Sequence, residues 1–149
     1  MVLTHKELNQ IGLKFLQGKY ANYKYKSQIV RTELSSAAGE IPDVVGFYSG
    51  GCVIIESKTS KADFNRDKKK YHRQPSKGIG DYRFFLCKID LISVDDLYDD
   101  WGLLYTDGVT TTIIKHPTYR GKDRSRYEDC LIMYSIMRRQ EKMIGKHKD

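Results

Sequence analysis

The stretch from Asp43 to Lys58 leaves little choice of local structure. Asp43 opens the apolar run Val44, Val45 and Phe47, Ser49-Gly50-Gly51 supplies a turn, and Cys52-Val53-Ile54-Ile55 leads into Glu56-Ser57-Lys58. Two β-branched runs joined by a glycine turn specify an antiparallel hairpin. Side chains alternate along a strand, so Cys52, Ile54, Glu56 and Lys58 share one face, while Val53, Ile55 and Ser57 share the other. An apolar hairpin therefore ends in an aspartate, a glutamate and a lysine at the margin of its sheet.

That trio suits metal-assisted hydrolysis of a phosphodiester. Two converging carboxylates repel each other and are best held by a divalent cation with a taste for hard oxygen, Mg²⁺ or Mn²⁺. Asp43 and Glu56 are the expected ligands, with the Ser57 carbonyl as a third. Lys58 is then placed to orient or deprotonate the attacking water, or to neutralise charge on the phosphate. A plainer alternative stands beside this one: Asp43 starts a strand after Pro42, and Glu56 with Lys58 forms a solvated ion pair of little energetic worth. Glu33, upstream of Asp43, is either a third carboxylate at the site or an exposed strand residue paired to Arg31 or a lysine. Glu7 and Glu40 are reserves, Glu7 in a helix cap and Glu40 facing solvent in a loop. Asp63 and Asp67 suit the positive amino end of the following helix.

Pro42-Asp43 and Glu56-Ser57-Lys58 match the signature of the PD-(D/E)xK nuclease superfamily. The longer run Glu56-Ser57-Lys58-Thr59-Ser60-Lys61-Ala62-Asp63-Phe64-Asn65-Arg66-Asp67-Lys68 resembles the MmcB-like DNA-repair branch, as does Trp101-Gly102-Leu103-Leu104-Tyr105-Thr106-Asp107-Gly108. The resemblance runs from about Ile29 to Gly108. It implies a restriction-endonuclease-like α/β domain over residues 1–116, a mixed sheet flanked by helices, with residues 117–149 as a basic loop and C-terminal helix packed on it. It also implies a Mg²⁺- or Mn²⁺-dependent deoxyribonuclease of DNA repair or processing, with Asp43, Glu56, Lys58 and Glu33 catalytic. The loop before the aspartate, Arg-rich in that branch, is here Ala37-Ala38-Gly39-Glu40-Ile41-Pro42.

Elsewhere the pattern predicts a first helix capped by Thr4 and Glu7 with Leu8, Ile11 and Phe15 on one face. A strand follows over Gln28 to Leu34, and a second helix runs from Ser60 to about Gln74, before Pro75. Tyr82 to Ile89, Trp101 to Thr106 and Val109 to Lys115 read as strands, the last two joined at Asp107-Gly108. The last helix spans about Glu128 to Ile144. The order of helix, three strands, helix, further strands and helix fits a mixed α/β domain.

The chain of 149 residues carries a net charge of +7, and Lys115 to Asp149 holds ten Lys and Arg against five Asp and Glu. A polyanionic partner, DNA, is therefore expected. Lys68, Lys69, Lys70 and Arg73 follow the site on the predicted second helix and can track a phosphate backbone, or else form a solvated basic face. Tyr20, Tyr23 and Tyr25, interleaved with Lys19, Lys24 and Lys26, can stack on bases or lie in a half-buried strand. His5, His72, His116 and His147 lack partner spacing and read as surface residues. Cys52, Cys87 and Cys130 read as reduced core thiols of a cytoplasmic protein, and no apolar run approaches membrane-spanning length. A second reading keeps the nuclease fold without catalysis. The chain is then a nucleic-acid-binding or assembly subunit, such as a ring in a phage particle, oligomerising through a C-terminal segment rich in Tyr, Arg and Met.

Overall fold

Six strands lie in the sheet in the order in which the chain makes them, from β1 to β6. The structure, a computed structural model, describes residues 2–146, so His147 lies outside the described residues. The elements are α1 (His5–Leu16), β1 (Ile29–Thr32), β2 (Val44–Tyr48), β3 (Gly51–Ser57), α2 (Lys61–Lys68), β4 (Tyr82–Lys88), β5 (Trp101–Thr106), β6 (Thr111–Lys115) and α3 (Tyr127–Lys146). β1, β2 and β3 form an antiparallel meander, β3, β4 and β5 run parallel, and β6 turns back antiparallel to β5. The protein is thus a mixed α/β domain with a six-stranded mixed sheet and three helices.

The sheet is covered on both faces, which is why its central strands read as unbroken apolar runs. Val44, Val53, Ile55, Phe84, Leu86 and Leu104 face α1. Val45, Cys52, Ile54, Phe85, Cys87 and Leu103 face Phe64 of α2 with Ile132 and Ile136 of α3. Thr4 caps α1 in a reciprocal box with Glu7. Leu8, Phe15 and Leu16 are each no more than 1% exposed, and such burial is worth about 1.5–3 kcal/mol per side chain.

Several sequence expectations need correction. α2, capped by Ser60, stops at Lys68 rather than Gln74, and Tyr71–Arg73 forms a separate 3₁₀ turn. β1 is shorter than Gln28 to Leu34. Residues 19–26 form no strand: Tyr25 is buried with its hydroxyl 2.7 Å from His116 Nδ1, whereas Tyr23 is exposed. Cys52 and Cys87 are core thiols, but Cys130 is exposed on α3. Among the described residues no helix is long and apolar enough to cross a membrane.

Candidate functional site

The hairpin register decides where the carboxylates meet. Val44 pairs with Ile55, so the next positions outward, Asp43 and Glu56, stand opposite each other. Thr32 pairs with Val44, and Glu33 then falls beside Asp43, its amide donating to the Asp43 carbonyl at 2.9 Å. Glu33, Asp43 and Glu56 thus form a row across three strand ends. At Glu33 the backbone turns left-handed, with φ 47°, a costly state for this residue type. The turn carries its carboxylate to α1, where Asn9 donates to Oε1 at 3.2 Å and His5 Nδ1 lies 3.7 Å away.

Ser57 ties the row to β3. Its amide donates to Asp43 Oδ2 at 2.9 Å, while the Lys58 amide points the other way, to Leu86 of β4. The amide and carbonyl of one strand residue face the same edge, so the Ser57 carbonyl also faces the Asp43 side. His5 Nε2 reaches the same Asp43 oxygen at 3.1 Å. His5, Glu33 and Asp43 each offer a ligand atom within 4.8 Å of the others. Sequence reasoning missed His5, because the packing of α1 on the sheet brings it there and no local spacing signals that.

Lys58 is buried and pairs with α2, its Nζ 3.3 Å from Asp67 Oδ1 and 3.7 Å from Asp63 Oδ2. Asp63 lies in the first turn of α2 as expected, but Asp67 lies in its last turn and not at its amino end, because the helix stops at Lys68. Asp67 is also bound by Lys70 at 3.2 Å and by Arg73 Nε at 2.8 Å. Arg73 is only 2% exposed and cannot track a phosphate backbone. Its guanidinium instead joins Asp67, Glu40 at 2.6 Å and Glu56 at 3.2 Å. Glu40 is likewise buried and takes the Ile79 amide at 3.0 Å.

Buried charge in this network does not balance. Among the described residues, the buried carboxylates Glu40, Glu56 and Asp67 face two buried cations, Arg73 and Lys58, with exposed Lys70 at the rim, and Glu56 Oε1 lies 3.2 Å from an Arg73 Nη without a hydrogen bond. Burial pushes the Glu56 carboxyl well up; Arg73 opposes this, while Asp43, Glu40 and Asp67 add to it. Asp67 behaves oppositely. Burial alone would raise it, yet hydrogen bonding and charge from Arg73, with help from Lys58 and Lys70, hold it down to about 2. The cleft around these groups has a volume near 420 Å³ and is lined by five carboxylates against two lysines, one arginine and two histidines. Glu56 and Asp43, opposite each other in an acid-rich cleft and with no hydrogen bond made to Glu56 Oε1, fit a divalent cation. The donor set is oxygen-rich, with one imidazole at its rim.

The basic run divides. Lys69 and Lys70 are exposed, and Lys68 is half-buried, donating to the Asp96 carbonyl with its ammonium 5.1 Å from the Tyr98 ring centre. Lys68 therefore braces α2 against the loop before β5. The structure brings together Asp43, Glu56, Ser57, Glu33 and Lys58, and it moves Arg73 from the surface to the interior.

No family model matches the chain, and no curated protein matches it. Among solved structures it is similar to a protein of unknown function from Silicibacter pomeroyi, with TM-score 0.57 and 20% identity, over 81% of this chain and 80% of that one. At that identity the likeness concerns the fold.

Proposed function

We propose that the protein is a Mg²⁺- or Mn²⁺-dependent DNA nuclease of the restriction-endonuclease-like, PD-(D/E)xK kind, acting in DNA repair or processing. The observation that carries this reading is the pairing of Asp43 with Glu56 across the hairpin, in a cleft that Lys58, the residue after β3, also lines. Asp43, Glu56 and the Ser57 carbonyl would hold the ion, with Glu33 and His5 at its margin. Bound there, it would supply Lewis-acid polarisation of the phosphate and activation of water. Lys58, fixed by Asp67 and Asp63, is the cation that meets charge growing on the phosphate oxygens as water attacks phosphorus and the P–O bond breaks. Arg73 holds Glu56 and Asp67 in place from beneath.

The test is cleavage of labelled single-stranded, duplex and branched DNA in Mg²⁺, Mn²⁺ or EDTA, with Lys58→Ala and Asp43→Ala beside the wild type. Calorimetric titration with Mn²⁺ accompanies it. Metal-dependent cutting lost in both variants, with metal uptake lost only in Asp43→Ala, is the expected result. A folded wild-type chain that takes up no metal and cuts nothing refutes it.

One observation favours the second reading, a nuclease-fold subunit that binds or assembles without cutting. Arg73 already sets a fixed positive charge 3.2 Å from Glu56, where a metalloenzyme needs its ion. Tyr134, Met137, Met143 and Ile144 also stand exposed on α3. A large closed oligomer by solution mass measurement, with no cleavage, supports that reading.

A further inference from the structure

Past Gly39, Glu40 and His72 the cleft opens into a second hollow of about 630 Å³. Its walls come from distant parts of the chain, the loop at 71–78 and the segment at 123–128. Both are held by arginines that the phosphodiester chemistry does not use. Arg83, fully buried, donates to the carbonyls of His72, Arg73, Gln74 and Lys77, and Arg120 donates to those of Lys77, Gly78, Ile79 and Gly80. Arg124 and Arg126 pin the opposite wall to Asp81. Burying a guanidinium costs several kcal/mol before its bonds repay it. Arg83, Arg120 and Arg124 bear that cost, Arg126 is half exposed, and together they secure the shape of the hollow. Gly78 belongs to the same construction: φ is +79°, and a Cβ there would lie 2.2 Å from the His72 carbonyl oxygen.

Tyr71 rises from one wall and Tyr127 from the other, 65% and 69% exposed, and both line the hollow with Asp123, Ser125 and Glu128. Lys77 Nζ stands 5.4 Å from the Tyr71 ring centre. Such a preformed hollow has aromatic faces for a flat ring, carboxylates for N–H donors and a lysine at its side.

We propose that this hollow receives an unpaired nucleobase bearing an exocyclic amino group, from the strand whose phosphodiester enters the adjoining cleft. The inference rests on the nuclease reading and names its substrate class. The base stacks on Tyr71 or Tyr127, a sequence-tolerant contact. Its amino group donates to Asp123 or Glu128, as cytosine N4 does to carboxylates elsewhere. The phosphates avoid this acidic floor and follow Lys69, Lys70 and Lys77. A base stacked inside a duplex cannot reach the tyrosines, so the substrates are single strands, overhangs, or duplexes with a mismatched or extruded base. Thymine lacks the amino group and fits worst. Aromatic rings beside carboxylates also suit a lysine or arginine side chain of a protein partner, but continuity with the cleft favours the base.

The test measures binding of short oligonucleotides containing 2-aminopurine, which bears an amino group and dims when stacked, in Ca²⁺ and in EDTA. Wild-type protein is expected to quench the single strand and to hold oligo-dC more tightly than oligo-dT. Tyr71→Ala and Tyr127→Ala should each weaken single-strand binding by about five-fold or more, restore fluorescence and leave blunt-duplex binding unchanged. Glu128→Gln should narrow the gap between dC and dT. Both tyrosines are exposed, so folding is not at stake, and a melting curve checks it. Unchanged quenching and affinity in the double variant Tyr71→Ala/Tyr127→Ala overturn the proposal, as does a wild type that ignores the oligonucleotides and takes up oligolysine. Cleavage that needs Asp43 and Lys58 but ignores the tyrosines keeps the nuclease reading and removes this one. Tyrosine-dependent quenching by a chain that cuts nothing does the reverse.

Discussion

Replacing Arg73 with methionine keeps most of the side-chain volume and removes the guanidinium that joins Glu40, Asp67 and Glu56. All four groups are no more than 3% exposed, so solvent cannot replace the lost partner. Breaking a buried pair on one side costs about 3–5 kcal/mol. For a domain near 150 residues each kcal/mol moves Tm by about 2–4 °C, which puts the expected fall at about 6–20 °C. Arg73→Lys keeps the charge but cannot bridge three carboxylates, and should fall in between. The loss also depends on pH. Asp67 is held at about 2 in the fold against 3.8 ordinarily, so its contribution is present above pH 3.8 and disappears as pH falls toward 2. The Tm gap between wild type and Arg73→Met should be full at neutral pH and narrow below about pH 4. Calorimetric melting of the three proteins in EDTA across that range is the assay. A neutral-pH gap under about 2 °C, or one that widens in acid, would refute the account of Arg73 as the counter-charge of this cluster.

Glu56→Gln should abolish metal-dependent cleavage yet raise Tm in EDTA at neutral pH, because burial penalises the Glu56 charge more than Arg73 offsets it, and Arg73 keeps two other acids; a lowered Tm contradicts this. Lys69→Ala and Lys70→Ala should each reduce the salt slope of DNA binding by about one. Lys68→Ala should lower Tm and leave that slope alone, since its ammonium is committed to Asp96 and Tyr98. Iodoacetamide should alkylate Cys130 alone in the folded protein, with Cys52 and Cys87 reacting only after unfolding, as peptide mass mapping would show.

The meeting of Asp43 with Glu56 was legible because it depends on two short-range rules, strand alternation and a hairpin register set by a glycine turn, whereas Glu33 stayed open because its place is set by the pairing of β1 with β2 across a long loop. Given those rules, Asp43 must stand opposite Glu56 whatever the rest of the chain does. The caps at Thr4 and Ser60 were legible for the same reason. Arg73 was not. A continuous helix to Gln74 would separate residues 67 and 73 by about 240° around its axis and leave Arg73 on a different face. The helix instead ends at Lys68, and the 3₁₀ turn folds Arg73 back onto Asp67. No glycine or proline marks that break. Tertiary attraction from Glu40, 33 residues upstream, and Glu56 accompanies it, and such attraction has no local signature. His5, read as a surface residue, and Glu40, held in reserve as a solvent-facing loop residue, were misplaced likewise, since each acquires its role from a neighbour remote in sequence.

The sequential strand order bears on how the molecule comes together in time. No strand has to insert between two already paired, and the hairpin of β2 and β3, closed by the two residues Ser49 and Gly50, can form in about 1–10 μs. Arg73 comes later, when β4 docks beside β3 and the loop between them is drawn in. The acids of the hairpin therefore meet before their counter-charge arrives. Refolding should accelerate wherever something else quiets that repulsion early, such as a divalent salt or mild acidity, and Arg73→Met should act chiefly on unfolding.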